Sequence, residues 1–142
     1  MQQQRIVSRF AIAAALAIGA ATGAHAQADG LPAVREQGAV SFVSGGIGQD
    51  EAAAFRRNEA AWPLALRFTG AGGEFVADVH VRIANASGAE VLKTDAGGPY
   101  MLVKLPPGRY TVTATYQGHD EARTVTVPAK GSVTESFAWR AQ

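Results

Sequence analysis

Between Phe75 and Ile83 the chain alternates with a period of two. Phe75, Ala77, Val79, Val81 and Ile83 fall on one side; Val76, Asp78, His80, Arg82 and Ala84 fall on the other. Side chains on an extended strand point to opposite faces in turn, so this stretch buries a single apolar face by lying in a sheet. The same period appears in Leu64, Leu66 and Phe68 before it, and in Tyr110, Val112, Ala114 and Tyr116 after it. Short segments at Val91–Thr94, Tyr100–Leu105, Ala122–Val127 and Val133–Trp139 complete the series, separated by Gly and Pro signals. Strands at such spacing predict an all-β sandwich or barrel over 63–142.

The stretch from Asp50 to Trp62 follows a different rule. It holds no Gly or Pro, is rich in alanine and starts with acids, and Phe55 and Trp62 share one helical face. Pro63 forbids continuation, because the residue before a proline is pushed out of the α region. One short helix of about three turns is predicted. Before it, Val40-Ser41-Phe42-Val43 reads as a short strand, so 40–62 forms a strand–helix extension of the sandwich.

The joint between that strand and helix is Ser44-Gly45-Gly46-Ile47-Gly48-Gln49-Asp50-Glu51. A phosphate-binding loop would follow its glycines with Lys-Ser/Thr and leave the helix N-terminus free for the anion. Here Asp50 and Glu51 occupy that end and would repel a phosphate. The stretch therefore reads as a sharp turn in which the acids cap exposed N–H groups and Ile47 packs inward. Its functional alternative is a protein-contact loop formed by Gly45, Gly46, Gly48, Asp50 and Glu51.

The N-terminus reads as a targeting segment. Arg5 and Arg9, the apolar run Phe10–Ala21 and Ala24-His25-Ala26 have the pattern of a secretory leader cleaved after Ala26. Residues 27–39 are then a flexible lead-in, and 40–142 a single domain. The expected location is periplasmic or secreted, with no integral membrane segment left after cleavage. The whole chain has 13 basic and 12 acidic residues; subtracting Arg5 and Arg9 leaves 11 against 12, a net charge near −1. No Lys/Arg run remains, so nucleic acid is not an expected partner. With 0 cysteines, the chain has neither disulfides nor thiolates, and stability must come from a packed core. The 142 − 26 = 116 remaining residues are enough for one domain that buries about two-thirds of its unfolded surface.

The middle of the chain allows a family comparison. Thr94-Asp95-Ala96-Gly97-Gly98-Pro99-Tyr100, then Leu102, Leu105-Pro106-Pro107-Gly108, Tyr110, Val112, Ala114 and Gly118, resembles the TD-x-x-G-x-Y…LPPG-x-Y-x-V-x-A…G signature of carboxypeptidase regulatory-like domains. The resemblance covers about Phe75 to Val127. It implies a seven-strand immunoglobulin-like or prealbumin-like (transthyretin-like) sandwich, related in shape to CnaB repeats and to the carbohydrate-binding-like fold. It also implies a small exported bacterial accessory protein and not an enzyme, since in the carboxypeptidases the zinc and catalytic residues belong to a separate domain. The ending Trp139-Arg140-Ala141-Gln142 departs from the Tyr-Arg-Gly-Ser of transthyretin-like hydrolases. Lys93, Lys104 and Lys130 have no asparagine in the last strand with which to form a CnaB-type isopeptide.

Chemistry-bearing residues are few. Asp78, His80 and Arg82 occupy alternate positions on one strand face, in steps of about 7 Å, where a carboxylate could orient an imidazole. A solvated strand face is the plainer reading. His119 with Asp120 and Glu121 is too sparse for zinc or calcium, so no metal, cofactor or catalytic residue is assigned. Trp62, Tyr100, Tyr116 and Trp139 are the rings that a sugar platform would use; core packing is the plainer role, with Trp139 the expected exception. The function expected is a non-catalytic module for protein interaction or envelope structure, with an envelope protein as partner. Carbohydrate binding is the alternative, with a glycan as partner, and a transthyretin-like hydrolase comes third.

Overall fold

A computed structural model describes residues 30–70 and 76–139, so the leader, Phe75, Arg140, Ala141 and Gln142 lie outside the described residues. The strands are β1 (Arg35–Gln37), β2 (Val40–Gly45), β3 (Leu64–Thr69), β4 (Val79–Asn85), β5 (Glu90–Ala96), β6 (Tyr100–Lys104), β7 (Gly108–Tyr116), β8 (His119–Val127) and β9 (Val133–Ala138). Helix α1 (Gln49–Asn58) and a 3₁₀ turn (Glu59–Ala61) separate β2 from β3. Among the described residues no helix is long and apolar enough to cross a membrane.

The strands form two sheets, one of order β1-β2-β6-β3-β9 and one of order β5-β4-β7-β8. Neighbours are antiparallel except β3 and β9, which run parallel. Between the sheets lies the main core, with Leu66, Phe68, Met101 and Val103 from one side meeting Val81, Ile83, Leu92 and Val112 from the other. A second cluster sits on the outer side of the five-stranded sheet. There Phe55, Ala52 and Ala54 of α1 cover Val43, Ala65, Tyr100 and Leu102. This explains why Tyr100-Met101-Leu102-Val103 shows no alternation: β6 is buried on both faces, a pattern that reads as a continuous apolar run.

The described residues contain nine strands, where seven were expected. Ahead of the seven strands β3 to β9 stand β2, which is the short strand expected at Val40–Val43, and β1, which was not expected; they extend one edge of the five-stranded sheet through β2–β6 pairing. The flexible lead-in expected over 27–39 therefore contains ordered structure. Leu31 is buried against the helix cluster, and Arg35–Gln37 is an edge strand. That strand is tied to the opposite sheet by one side chain: Gln37 Nε2 donates to Lys93 O (3.0 Å), and Lys93 N donates to Gln37 Oε1 (2.8 Å). The amide imitates a neighbouring backbone and closes the edge of β5 at that point.

The alternation from Phe75 onward starts later than its pattern implies. Val76 is buried, Ala77 is half-buried, and Asp78 takes φ 62, so the strand begins at Val79. At the same end of that sheet, Gln117 and Gly118 both have positive φ between the paired residues Tyr116 and His119. That two-residue hairpin turn starts β8 at His119, earlier than the expected Ala122.

Candidate functional site

The face of the four-stranded sheet turned away from the core carries polar side chains in cross-strand rungs. One rung reads Asp95, His80, Thr115, Asp120; the next reads Lys93, Arg82, Thr113, Ala122; a third reads Glu90, Ala84, Thr111, Thr124. These residues face outward because their alternates Val79, Val81, Ile83, Leu92, Val112 and Ala114 fill the core. Among the described residues, no helix lies over this face, in contrast to the other sheet.

His80 has a carboxylate partner, and it is not Asp78. His80 Nδ1 and Asp95 Oδ1 form a hydrogen-bonded pair directly across β4 and β5. Asp78 lies outside the strand, and its positive φ takes it off the alternating face. The pair is open to water, with side-chain exposures of 65% and 66%. Thr115, the other neighbour of His80, donates its hydroxyl to Asp120. Asp95 was legible only as a fold-signature residue. Its meeting with His80 depends on the β4–β5 register, which no local pattern encodes. The same register sets Arg82 opposite Lys93. An open depression of about 640 Å³ runs along this region, lined by Arg35, His80, Arg82, Lys93, Asp95 and Thr115 among others.

The glycine–acid joint is a structural lock. Gly45, Gly46 and Gly48 have φ of 156, 99 and 92, and Glu51 Oε1 accepts a hydrogen bond from Gly46 N (2.7 Å). The expected capping is corrected here: no side chain caps the helix at Gly48, because Glu51 reaches back past it to the loop and Asp50 is exposed. Ile47 does not pack inward; it is 67% exposed. A Cβ on Gly46 would strike the Tyr100 ring, and one on Gly98 would strike the Gly45 carbonyl. Gly97 N also donates to Ser44 Oγ (3.0 Å), so the Thr94–Tyr100 signature is bolted to the end of β2.

The aromatic candidates are internal. Trp139, expected to be the exposed exception, is 4% exposed; its Nε1 donates to His119 O (2.9 Å), and its ring packs against Phe68, Phe137 and Tyr116. It follows β9 directly and continues the inward alternation of Phe137, so its ring joins the core between the sheets, where burial outweighs exposure. Tyr100 lies stacked on Phe55 at 5.7 Å, with its hydroxyl accepting from Arg56 Nη1 (3.1 Å). Trp62 is buried in the same cluster, and Tyr116 is half-buried. Three of the four rings that a sugar platform would use are thus buried.

The remaining signature residues build turns. After Leu105, Pro106-Pro107-Gly108 carries the chain into β7, and Tyr110 returns its hydroxyl to Pro106 O (2.8 Å). Burial pushes the Tyr110 phenol above its ordinary range. On the helix side, Arg67 makes a two-point contact with Glu59 at 3.0 and 2.9 Å. The hydrogen bond to Glu59 raises the Arg67 guanidinium further, which outweighs its partial desolvation. His119, Asp120 and Glu121 do not converge: Asp120 serves Thr115 and Glu121 pairs with Arg123 at 3.2 Å. Among the described residues no three His, Asp or Glu side chains gather into a metal-binding group.

A family model for the carboxypeptidase regulatory-like domain matches residues 66–140. The match is wider than the resemblance read over Phe75–Val127. It takes in β4 to β9 and most of β3, which together are seven strands, and it leaves β1, β2 and α1 ahead of it. A comparison with curated proteins found no match.

Proposed function

Because the chain belongs to the carboxypeptidase regulatory-like domain family, we propose that it is a non-catalytic recognition module, exported from the cytoplasm, that holds a protein partner against the uncovered face of its four-stranded sheet. The observation that carries this reading is the asymmetry of the two outer faces. One is sealed by α1, and the other presents His80, Arg82, Lys93 and a threonine array to solvent. Gln37 already occupies the β5 edge at Lys93, which favours the face over strand addition at that edge.

Two features support a non-catalytic role. The His80–Asp95 pair lies in open solvent, with nothing to exclude water from it. The hydroxyl of Thr115, directly opposite His80, donates to Asp120 and not to His80. A fold of this kind names no reaction by itself. Export rests on Arg5, Arg9, the apolar run and Ala24-His25-Ala26, and makes Gln27 the first residue of the processed protein.

Site-specific photo-crosslinking in the periplasm of a bacterial host that carries the partner tests the reading. A crosslinker at Thr113, on the open face, is expected to capture a discrete protein, while one at Arg57, exposed on the helix side, is expected to capture none. Equal capture from both positions, or none from Thr113, would remove the proposal. N-terminal sequencing of the same material reads the Gln27 start directly.

A further inference from the structure

We infer that the seam where β1 meets β5 is a binding site for an oxyanion group, carboxylate or phosphate, held by Arg35, Arg82 and Lys93. Arg82 and Lys93 stand directly opposite one another across β4 and β5. Like charges directly opposite one another across a strand pair are destabilising. The nearest acid on β5 is Asp95, two residues from Lys93, and it is engaged by His80. Among the described residues the side chains of Arg82 and Lys93 make no ion pair or hydrogen bond.

The third cation arrives from the other sheet. Gln37 clamps β1 to the Lys93 backbone, and Arg35, two residues away on the same side of that strand, lines the same depression. Its guanidinium rests over the Phe42 ring at 5.1 Å and makes no hydrogen bond to a described residue, so its donors remain available. Three cations therefore share the depression with one carboxylate, and the hydroxyl-bearing Thr94 and Thr115 lie along its wall. Guanidinium forks match the paired oxygens of carboxylate and phosphate, and a lysine adds a point charge. An oxyanion placed there relieves the Arg82–Lys93 repulsion and receives several charge-assisted hydrogen bonds.

This inference rests on the reading of the uncovered face as the recognition surface, with the anionic group carried by whatever binds there. The test is an amide NMR titration of the processed protein with inorganic phosphate and, separately, with glutarate, at constant ionic strength held with sodium chloride. Saturable shifts centred on Arg82, Lys93 and Arg35 are expected. Saturation by phosphate alone assigns a phosphoryl source, and saturation by glutarate alone a carboxylate source. The double variant Arg82→Gln/Lys93→Gln is expected to weaken binding about tenfold or more with its circular dichroism unchanged. Arg57→Gln, on the helix side, is expected to leave binding as it was. Titrations without saturation, or equal binding by the double variant, would overturn the site. Flat titrations with intact Thr113 crosslinking would defeat the anion site and leave the recognition face standing. Saturable titrations without crosslinking would do the reverse.

Discussion

On the outer side of the five-stranded sheet, Val43, Ala65, Tyr100 and Leu102 lie buried beneath α1; on the outer side of the four-stranded sheet, His80, Arg82, Lys93 and a row of threonines meet water. The strands record this difference in their own composition. β6 is apolar at four consecutive positions and has cover on both sides, while β4 alternates strictly from Val79 to Ile83 and has cover on one. A run without alternation thus marks a strand in the middle layer, and clean alternation marks a face left for solvent or a partner. The family-matched segment supplies the open face, and the preceding β2–α1 extension supplies the cover.

The contrast can be broken most forcefully at the cover. Phe55→Ala removes the ring stacked on Tyr100 and is expected to cost about 3–5 kcal/mol. Urea unfolding should show one transition moved to lower denaturant. Two separated transitions would mean that the helix layer and the sandwich are independent, and the comparison would fail.

Gly98→Ala probes the lock beneath the cover. The added methyl meets the Gly45 carbonyl, a backbone group that cannot rotate away, and a loss of about 1–3 kcal/mol is expected in thermal unfolding. Tyr110→Phe is milder, losing the bond to Pro106 O at a cost of about 0.5–1.5 kcal/mol. It also changes the alkaline limb. Burial raises the folded phenol above its ordinary 10.0, so its contribution is complete below that pH and is lost as pH rises through the folded value. Stability measured from pH 9 upward should therefore fall less steeply in the Phe variant than in the parent. Smallest is Arg82→Gln on the open face, where relief of the Arg82–Lys93 repulsion is expected to add roughly a few tenths of a kcal/mol. A clear loss would show that Arg82 supports the fold and is not held there for a ligand.

Much of the architecture was legible residue by residue. Pro106-Pro107-Gly108 marked the entry to β7, Pro63 marked the end of the helical segment, and the threonine alternation of β7 marked a wet face. The errors share a cause. Trp139 was placed outside because it stands close to the C-terminus beside Arg140, yet its burial comes from Phe68 and Tyr116, both distant in sequence. His80 was offered Asp78 by the two-residue period, but register delivered Asp95. β1 escaped notice because Arg35–Gln37 is three exposed polar residues whose order comes from β2 and from a side-chain amide reaching Lys93.

What the sequence determined alone was the succession of strands, turns and one helix, and which face of each strand is apolar. Those properties follow from backbone sterics and side-chain alternation over a few residues. Only the tertiary structure decided that Arg35, Arg82 and Lys93 line one depression, that the helix covers the five-stranded sheet and not the four-stranded one, and which acid meets His80. Each of these depends on strand register and on the docking of segments far apart in the chain, which no local pattern of residues specifies.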